Sequence, residues 1–251
     1  MQLTDISREY YDYLVGVNRN FEAQIHFLDK IFKKHGVKTI LDCGCGTATH
    51  TIMLAKKGYK LTAFDYSKHQ INIAKKKAKK HKLKIHFKTG DIRNFDFGKF
   101  DAVISLYSVL MFACKDKKDL DNSIKCMKNS LNTNGIAFFE TSTPIIGKSD
   151  GIAVHKYACK DFKVARITFY EETSKKNLTK GTYNYILKEK KKKPKITIAE
   201  SETKYFTKTD IEKSLKKNKL KIIKLYGSLK NKSYEDYTKA STFISPLFKL
   251  R

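Results

Sequence analysis

The chain has 251 residues, 41% of them hydrophobic and 12% aromatic, which excludes intrinsic disorder and is enough for one large domain or a core with an elaboration. The 52 Lys and Arg residues outnumber the 25 Asp and Glu residues, so the formal net charge at pH 7 is +27. We expect neither a secretory leader nor a membrane span, and five cysteines without a disulfide framework indicate a reduced, cytoplasmic setting.

Hydrophobic periodicity predicts alternating helices and strands in the first part of the chain. A helix over residues 20–35 precedes the strand KTILDCG, the helix THTIMLAKKG and the strand YKLTAFD. A helix capped by Ser67, the strands KIHFKTGD and FDAVISLYS, the helix KDLDNSIKCMKNSL and the strand IAFFET follow. This β-α-β-α-β-β-α-β order is typical of a doubly wound parallel sheet.

After Pro144 the pattern changes to alternating segments, VARITFY, GTYNYILK and KITIAESET, which predict a small antiparallel sheet. A helix (TKTDIEKSLKKNKL, capped by Thr207 or Thr209) and two strands (KIIKLYGSL and STFISPLFKL) end the chain. We predict an α/β fold with a Rossmann-like, mostly parallel seven-stranded sheet and an antiparallel insertion after the fifth strand. The predicted parts are a core with an N-terminal helical lid (1–144), a roof over the substrate (145–205) and a segment completing the core sheet (206–251).

The stretch TILDCGCGTATHT, residues 39–51, joins a buried-type strand to a helix and is the most informative segment of the sequence. An acid precedes two glycines that flank a cysteine, and a helical pattern follows. Three interpretations are open on these residues alone: a thiolate metal site, a phosphate cradle for a dinucleotide, and a pocket for another adenosine cofactor.

The first two interpretations fit poorly. Cys43 and Cys45 have no second pair nearby, and alternation along a strand would direct both side chains towards packing, so no metal is expected. A Gly-x-Gly turn with Asp65 about twenty residues further on resembles an NAD site, but the third glycine of that motif is absent. Asp42, directly before the turn, also suits a cationic ammonium better than a diphosphate.

The third interpretation is supported by resemblance, since DCGCGT is similar to the first motif of the class I S-adenosylmethionine (SAM)-dependent methyltransferases. The resemblance implies that the glycines admit the methionine end of SAM and that Asp42 interacts with that end. It also implies that Asp65, in AFDYS, accepts from the ribose hydroxyls, and that Asp91, in TGDI, accepts from the adenine amino group with Ile92 against the ring. FDAVISLYS then ends a fourth strand, beside the methyl group, so four motifs in order at the carboxyl ends of strands match the edge where such sheets bind ligands.

The predicted site residues lie at these strand ends and in the N-terminal segment. Those predicted to bind the cofactor are Asp42, Gly44, Cys45, Gly46, Thr47, Asp65, Tyr66, Asp91, Ile92, Leu106 and Tyr11. Tyr11, Tyr13 and Tyr107 are the candidates for shaping the acceptor site, with Tyr11 and Tyr107 as those for aligning the acceptor. Further candidates for lining the acceptor pocket lie in the insertion, although alternation alone does not say which face they take: His155, Tyr157, Tyr183 and Tyr185. Asp101, at the start of a strand, is expected to be structural.

Within that class, the sequence is most similar to small-molecule methyltransferases of the amino-sugar N,N-dimethyltransferase kind. The resemblance rests on ILDCGCGTATH, on GDIRNF, on the Tyr11-Asp12 pair near the N-terminus, and on YFTKTDIEKSLKKNKL after the insertion. Two departures are that Ala48 stands where those proteins have glycine, and that YSVLMFA lacks the histidine of their substrate-side motif. The fold and the cofactor are therefore expected to carry over, whereas the identity of the substrate is not.

Three functional hypotheses follow from these patterns. The leading one is an enzyme that moves a methyl group from SAM to a small-molecule amine, on a sugar or another metabolite, releasing S-adenosylhomocysteine. The alternative is an RNA methyltransferase that uses the Lys-rich surface, although only five basic residues are Arg and SLYS is not the Asn/Asp-Pro-Pro-Tyr of base-amine methylation. The third is a SAM-binding protein without catalysis. An anionic acceptor and a homodimer are both compatible with the sequence, and no membrane partner is expected.

Overall fold

A mixed β-sheet forms the centre of the protein. The structure is a computed structural model that describes residues 4–16, 19–142, 151–175, 177–228, 235–236 and 243–250. In these residues the sheet has seven main strands and two strands of two residues, β6 (Thr141–Ser142) and β12 (Glu235–Asp236). The main strands are β1 (Thr39–Cys43), β2 (Lys60–Asp65), β3 (His86–Thr89), β4 (Phe100–Ser105), β5 (Leu131–Phe139), β11 (Leu220–Ser228) and β13 (Phe243–Leu250).

The order across the sheet is β12-β11-β13-β5-β4-β1-β2-β3, with β6 paired to β13. Neighbouring strands from β3 to β5 are parallel, and β13 lies antiparallel between β5 and β11. The chain order reverses between β1 and β4, which places the carboxyl ends of these strands around the crevice where open α/β sheets bind ligands. The predicted doubly wound, mostly parallel sheet of seven strands is confirmed.

Helices cover both faces of the sheet and bury the two largest apolar clusters. Their bounds are α1 (Asp5–Glu9), α2 (Tyr11–Gly16), α3 (Phe21–Lys34), α4 (Thr49–Lys56), α5 (Lys68–Lys80), α6 (Val109–Ala113), α7 (Lys117–Asn129) and α8 (Lys208–Lys217). Ser67 caps α5 as predicted, and Thr207 rather than Thr209 caps α8 through a capping box with Asp210. The short helix α6 was not predicted. None of the described helices combines the length and apolar character that a membrane span requires.

A second, antiparallel sheet follows β6 in the chain, and we refer to it as the roof sheet. Its strands are β7 (Ile152–Ala158), β8 (Phe162–Glu172), β9 (Leu178–Glu189) and β10 (Lys195–Lys204), in the order β10-β9-β8-β7. Three of these strands were predicted and β7 was not. The predicted boundary between residues 144 and 145 lies outside the described residues.

One face of the roof sheet packs against α1 and α2. Leu14 of α2 and Ile6 of α1 are buried with Val164, Tyr183 and Leu187 in a cluster separate from the core of the main sheet. Tyr13 of α2 contacts the roof sheet through aromatic rings, with its centroid 4.8 Å from that of Tyr157 and 4.9 Å from that of Phe162. The N-terminal helices therefore lie between the roof sheet and the carboxyl edge of the main sheet.

Asp101 has the structural role that was expected for it at the start of β4. Its carboxylate accepts hydrogen bonds from the backbone N–H groups of Lys38 and Thr39, at 3.0 and 2.9 Å, and from the side chain of Asn132 at 2.7 Å. One acid thus joins the amino ends of β1, β4 and β5, on the side of the sheet away from the candidate site.

Candidate active site

The loop after β1 is shaped by two glycines with left-handed backbone conformations, Gly44 at φ +78° and Gly46 at φ +54°. Backbone N–H groups of Gly44 and Cys45 donate to the carbonyl oxygen of Phe64, at 2.8 and 2.9 Å, and the N–H of Gly46 donates to Asp65 at 2.9 Å. The loop is therefore fixed to the end of β2. A Cβ on Gly44 would lie 2.6 Å from a methyl group of Val109, whereas a Cβ on Gly46 would project into open space.

A pocket with an empty volume of about 450 Å³ opens at this loop and extends to the ends of β1 and β4. Eight of the predicted site residues line it: Tyr11, Asp42, Gly44, Cys45, Gly46, Thr47, Leu106 and Tyr107. Four further residues line it that were not predicted as site residues: Asp12, Phe21, Thr49 and His50. Thr49 and His50 belong to the first turn of α4, so their position directly after the glycine loop was the signal that could have found them.

Asp42 is a buried carboxylate in the wall of this pocket, only 3% exposed. The hydroxyl of Thr51 donates to it at 2.6 Å, and it forms no ion pair with any residue that the structure describes. Burial raises the pKa of Asp42 to about 7, and the neighbouring carboxylate of Asp65 adds to the effect. A cation bound in the pocket would complement the charged form of this group.

Asp65 lies at the end of β2, where the sequence placed it, but its carboxylate already has two backbone partners. It accepts from Gly46 at 2.9 Å and from Ser67 at 2.8 Å, so it joins the glycine loop to the start of α5. Desolvation raises the pKa of Asp65, which the two hydrogen bonds partly offset. Tyr66, predicted as a cofactor contact, is 78% exposed, and neither residue lines the pocket as it stands.

Asp91 follows β3 and is engaged by its own neighbour. The guanidinium of Arg93 contacts Asp91 at 2.6 Å and also lies 3.5 Å from Asp119. Hydrogen bonds from the side chain and the backbone of Arg93 lower the pKa of Asp91. Ile92 is buried in the core at 4% exposure. Neither Asp91 nor Ile92 lines the pocket, so the structure brings the predicted adenine-side pair to the same sheet edge but not into the same cavity.

Helix α2 is fastened over the glycine loop by Asp12. The hydroxyl of Thr47 donates to the Asp12 carboxylate, and Lys77 of α5 forms an ion pair with it at 2.9 Å and a hydrogen bond with Thr49 at 3.1 Å. This network holds Tyr11, the residue before Asp12, against the pocket. Burial raises the pKa of Tyr11 to about 12, so its phenol is protonated at neutral pH.

Tyr107 also lines the pocket, and it is held in an uncommon backbone conformation. Its φ is +65° and that of Ser108 is +56°, two consecutive left-handed residues where β4 leads into α6. The guanidinium of Arg19 lies 3.4 Å above the Tyr107 ring and pairs with Glu140 at 3.1 Å. The Tyr107 hydroxyl is buried without a hydrogen-bond partner in the described part of the chain, and burial raises its pKa.

The two cysteines of the loop do not share a face, contrary to the alternation argument. Strand β1 ends at Cys43, which is fully buried in the core, and the turn at Gly44 redirects Cys45 into the pocket wall. Burial raises the pKa of both thiols, so neither is a ready thiolate ligand. Across the described ranges no group of three or more His, Cys, Asp and Glu side chains is arranged to hold a metal ion.

Comparison with known proteins agrees with this geometry. Residues 40–135 match a family model described as a methyltransferase domain. An S-adenosylmethionine-dependent methyltransferase from Clostridium acetobutylicum superposes with a TM-score of 0.81 at 22% identity over 96% of each chain. The sugar N-methyltransferase KedS8 from Streptoalloteichus gives a TM-score of 0.77 at 16% identity, over all of this chain and 95% of that one.

Among curated relatives, the glycine/sarcosine N-methyltransferase of Parasynechococcus marenigrum is 32% identical over 99 residues, which are 38% of this chain and 35% of that protein. The chain spans about half the length, or less, of the curated relatives it matches. Residues 40–135 therefore resemble a methyltransferase domain, and the chain as a whole has the same fold as the S-adenosylmethionine-dependent methyltransferase from Clostridium acetobutylicum. The predicted resemblance is confirmed at this level.

Proposed function

We propose that the protein is a SAM-dependent methyltransferase that transfers a methyl group to an amine of a small molecule. The observation that carries the proposal is the Asp42 carboxylate, which is buried in a pocket wall beside the glycine loop without a cationic partner in the described structure. A buried acid whose pKa is raised by desolvation is suited to a ligand that brings a positive charge.

The residues present fit SAM. Asp42 would accept from the methionine ammonium, and the absence of a side chain at Gly46 leaves open space into which a ligand can approach the backbone. Asp65 would accept from the ribose hydroxyls with the lone pairs that its two backbone donors leave free. Bound there, SAM supplies an electrophilic methyl group on a sulfonium.

The groups around the pocket favour an acceptor that needs no strong base. Tyr11 and Tyr107 both have raised pKa values, and burial lowers the pKa of His50 to about 3, so all three are neutral at pH 7. Their role would be to orient the acceptor and exclude water. A neutral amine attacks through its lone pair and loses its proton afterwards, so it suits such a site better than an alcohol does.

An amine is also the acceptor indicated by two of the similar proteins, one named as a sugar N-methyltransferase and the other as a glycine/sarcosine N-methyltransferase. The roof sheet and α2 would enclose a small acceptor above the pocket, and the aromatic contacts of Tyr13 with Tyr157 and Phe162 join these two elements. We therefore favour a compact metabolite over a macromolecule.

The first experiment is transfer of labelled methyl from SAM into a cell extract that is then separated into small-molecule and RNA fractions. We expect label in the small-molecule fraction, at a rate that changes little with salt. Label in RNA, with a steep loss between about 50 and 200 mM salt, would contradict the proposed acceptor. Binding of SAM without transfer to either fraction would contradict the enzymatic proposal itself.

Replacing Asp65 by alanine is expected to weaken SAM binding by roughly tenfold or more, because the change removes both the anchor of the Gly46 loop and the ribose acceptor. Isothermal titration with SAM measures the effect. Asp96→Ala is the matched control, since Asp96 also accepts from a backbone N–H, at Gly98, but is exposed in a turn that does not line the pocket. Equal affinities for the wild-type protein and Asp65→Ala would remove Asp65 from the proposed site.

A further inference from the structure

Arg166, in the middle of β8, is an unusual cation for this protein. Only five of its 52 basic residues are arginines. Arg166 pairs across the roof sheet with His155 of β7 on one side and Tyr185 of β9 on the other. Because side chains alternate along a strand, Arg166 shares a face with the buried Val164, and this face packs against α1 and α2. The exposed Lys163 lies on the opposite face.

The charge of Arg166 is not matched by an acid. No carboxylate in the described residues lies within 4.0 Å of it, and its Nε is buried without a hydrogen-bond partner there. Its Nη2 lies 3.0 Å from Nδ1 of His155, and burial together with the guanidinium lowers the pKa of His155 to about 4. His155 is therefore a neutral acceptor that orients the guanidinium without neutralising it. Tyr185 provides a second polar contact: burial raises the pKa of its phenol, and a hydrogen bond with Arg166 partly opposes that rise.

Arg166 is connected to the candidate active site through α2, because the face of the roof sheet that carries Arg166 packs against α2, and α2 contributes Tyr11 to the pocket. Burial raises the pKa of Tyr11, a residue of α2 that lines the pocket, and the positive charges of Arg19 and Arg166 partly oppose this rise. Arg19 already has an acidic partner in Glu140, at 3.1 Å. Of these two arginines, Arg166 of the roof sheet is therefore the one whose charge has no acidic partner among the described residues.

We propose that Arg166 is the anion-binding residue of the acceptor site, and that the acceptor is an amine that also carries an oxyanion, either a carboxylate or a phosphate. The planar fork of a guanidinium matches both groups and binds them with paired, charge-assisted hydrogen bonds. An unpaired cation held by neutral neighbours is suited to this task, whereas an arginine already bound to an acid is not. The proposal rests on the proposed function, because it assigns the acceptor of that reaction.

Such a contact would position the amine rather than take part in the reaction. Binding energy from a part of the substrate that does not react can fix the orientation of the part that does. Arg166 would hold the acceptor at its charged end, from the roof sheet, while Tyr11 and Tyr107 border the pocket in which the methyl group is transferred. Arg166 is therefore assigned as a specificity-determining residue and not as a catalytic one.

The test measures anion binding directly and needs no knowledge of the natural acceptor. The SAM-saturated protein is titrated with inorganic phosphate and, separately, with acetate, at constant ionic strength, and tyrosine fluorescence or calorimetry reports binding. Four proteins are compared: wild type, Arg166→Gln, Arg166→Lys and Lys163→Gln. The last is the matched control, because it removes one positive charge from the same strand on the opposite, exposed face.

We expect saturable binding of at least one anion to the wild-type protein, a loss of about tenfold or more in Arg166→Gln, a smaller loss in Arg166→Lys, and no change in Lys163→Gln. The anion that binds more tightly indicates whether the acceptor carries a phosphate or a carboxylate. Absence of saturable binding to the wild type, or equal losses in Arg166→Gln and Lys163→Gln, would overturn the proposal.

Two controls keep this result separate from folding and from the proposed function. Thermal unfolding of each variant shows whether it is folded. If Arg166→Gln does not fold, anion binding is compared between the wild type and Arg166→Lys, which keeps the positive charge and the aliphatic stem. Titration with SAM is run on the same samples. A protein that fails to bind SAM but binds phosphate through Arg166 would refute the methyltransferase proposal and leave the anion site standing, whereas SAM binding with no dependence of anion binding on Arg166 would refute only the anion site.

Discussion

Replacing Asp42 by asparagine is expected to stabilise the ligand-free protein at pH 8 and at the same time to weaken its binding of SAM. In the folded protein the pKa of Asp42 is about 7, while an unfolded chain gives aspartate a pKa of about 3.9. Between these values the folded state holds a proton that the unfolded state has lost, so the stability falls as the pH rises from about 4 to about 7. The difference corresponds to roughly 4 kcal/mol at most.

Asparagine has no charge to desolvate and can still accept from Thr51, so the variant escapes this loss. Its free energy of unfolding should exceed that of the wild type by about 1–4 kcal/mol at pH 8 and by much less at pH 5. Urea denaturation of both proteins at both pH values measures this. Subtracting the difference between the two proteins at pH 5 from that at pH 8 cancels the contributions of all other titrating groups. Equal differences at pH 5 and pH 8 would contradict the assigned environment of Asp42.

The same substitution is expected to weaken the binding of SAM, although it stabilises the ligand-free protein. The carboxylate of Asp42 would pair with the ammonium of SAM only when it is deprotonated, so SAM affinity in the wild type should increase as the pH rises through about 7. In Asp42→Asn we expect affinity lower by roughly 10- to 100-fold at pH 8, with little dependence on pH near 7. Calorimetric titration across this pH range measures both quantities, and a parallel pH profile in the two proteins would show that another group is responsible.

Replacing Gly44 by alanine is expected to be the most damaging single change in the glycine loop. The left-handed backbone at φ +78° costs a residue with a Cβ about 1 kcal/mol. The added Cβ would also lie 2.6 and 2.7 Å from the two methyl groups of Val109 and 3.2 Å from its Cβ. Because a β-branched side chain has little freedom at χ1, α6 would have to move, and we expect a total loss of about 3 kcal/mol or more in stability, together with loss of SAM binding.

Two matched variants separate the clash from the backbone strain. Gly36→Ala introduces a Cβ at φ +64° with nothing within 4 Å, so it should cost only about 1 kcal/mol. Combining Gly44→Ala with Val109→Ala removes the clashing methyl groups and should recover about 1–2 kcal/mol relative to the sum of the single changes. Denaturant unfolding of Gly36→Ala, Gly44→Ala, Val109→Ala and the double variant, each compared with the wild type, measures these free energies. If Gly44→Ala costs no more than Gly36→Ala, the close approach of Val109 is not a constraint on the loop.

The sequence by itself determined the main sheet and much of the pocket. Alternating strands and helices, an acid before Gly44, and an acid at the end of β2 are local patterns, and the rule that ligands bind at the carboxyl ends of parallel strands converts them into a site. Seven of the eight predicted residues in the pocket lie at the end of β1 or β4 or directly after it, whereas Tyr11 comes from α2. Such patterns can be read from the sequence without knowledge of long-range contacts, because they reflect helix and strand periodicity and turn conformation.

Only the tertiary structure decided which partners these residues have. Asp91 is bound by Arg93 instead of facing the cavity, Cys45 turns into the pocket rather than the core, and Lys77 fastens Asp12 over the loop. Each outcome depends on side-chain geometry or on segments far apart in the chain, which periodicity does not encode.

The roof sheet makes the same point most clearly. A strand is compatible with either face towards the core, and the packing of α1 and α2 selected the face that carries Arg166. The position of that unmatched guanidinium could not be predicted from the sequence, because it depends on how the roof sheet packs against the N-terminal helices.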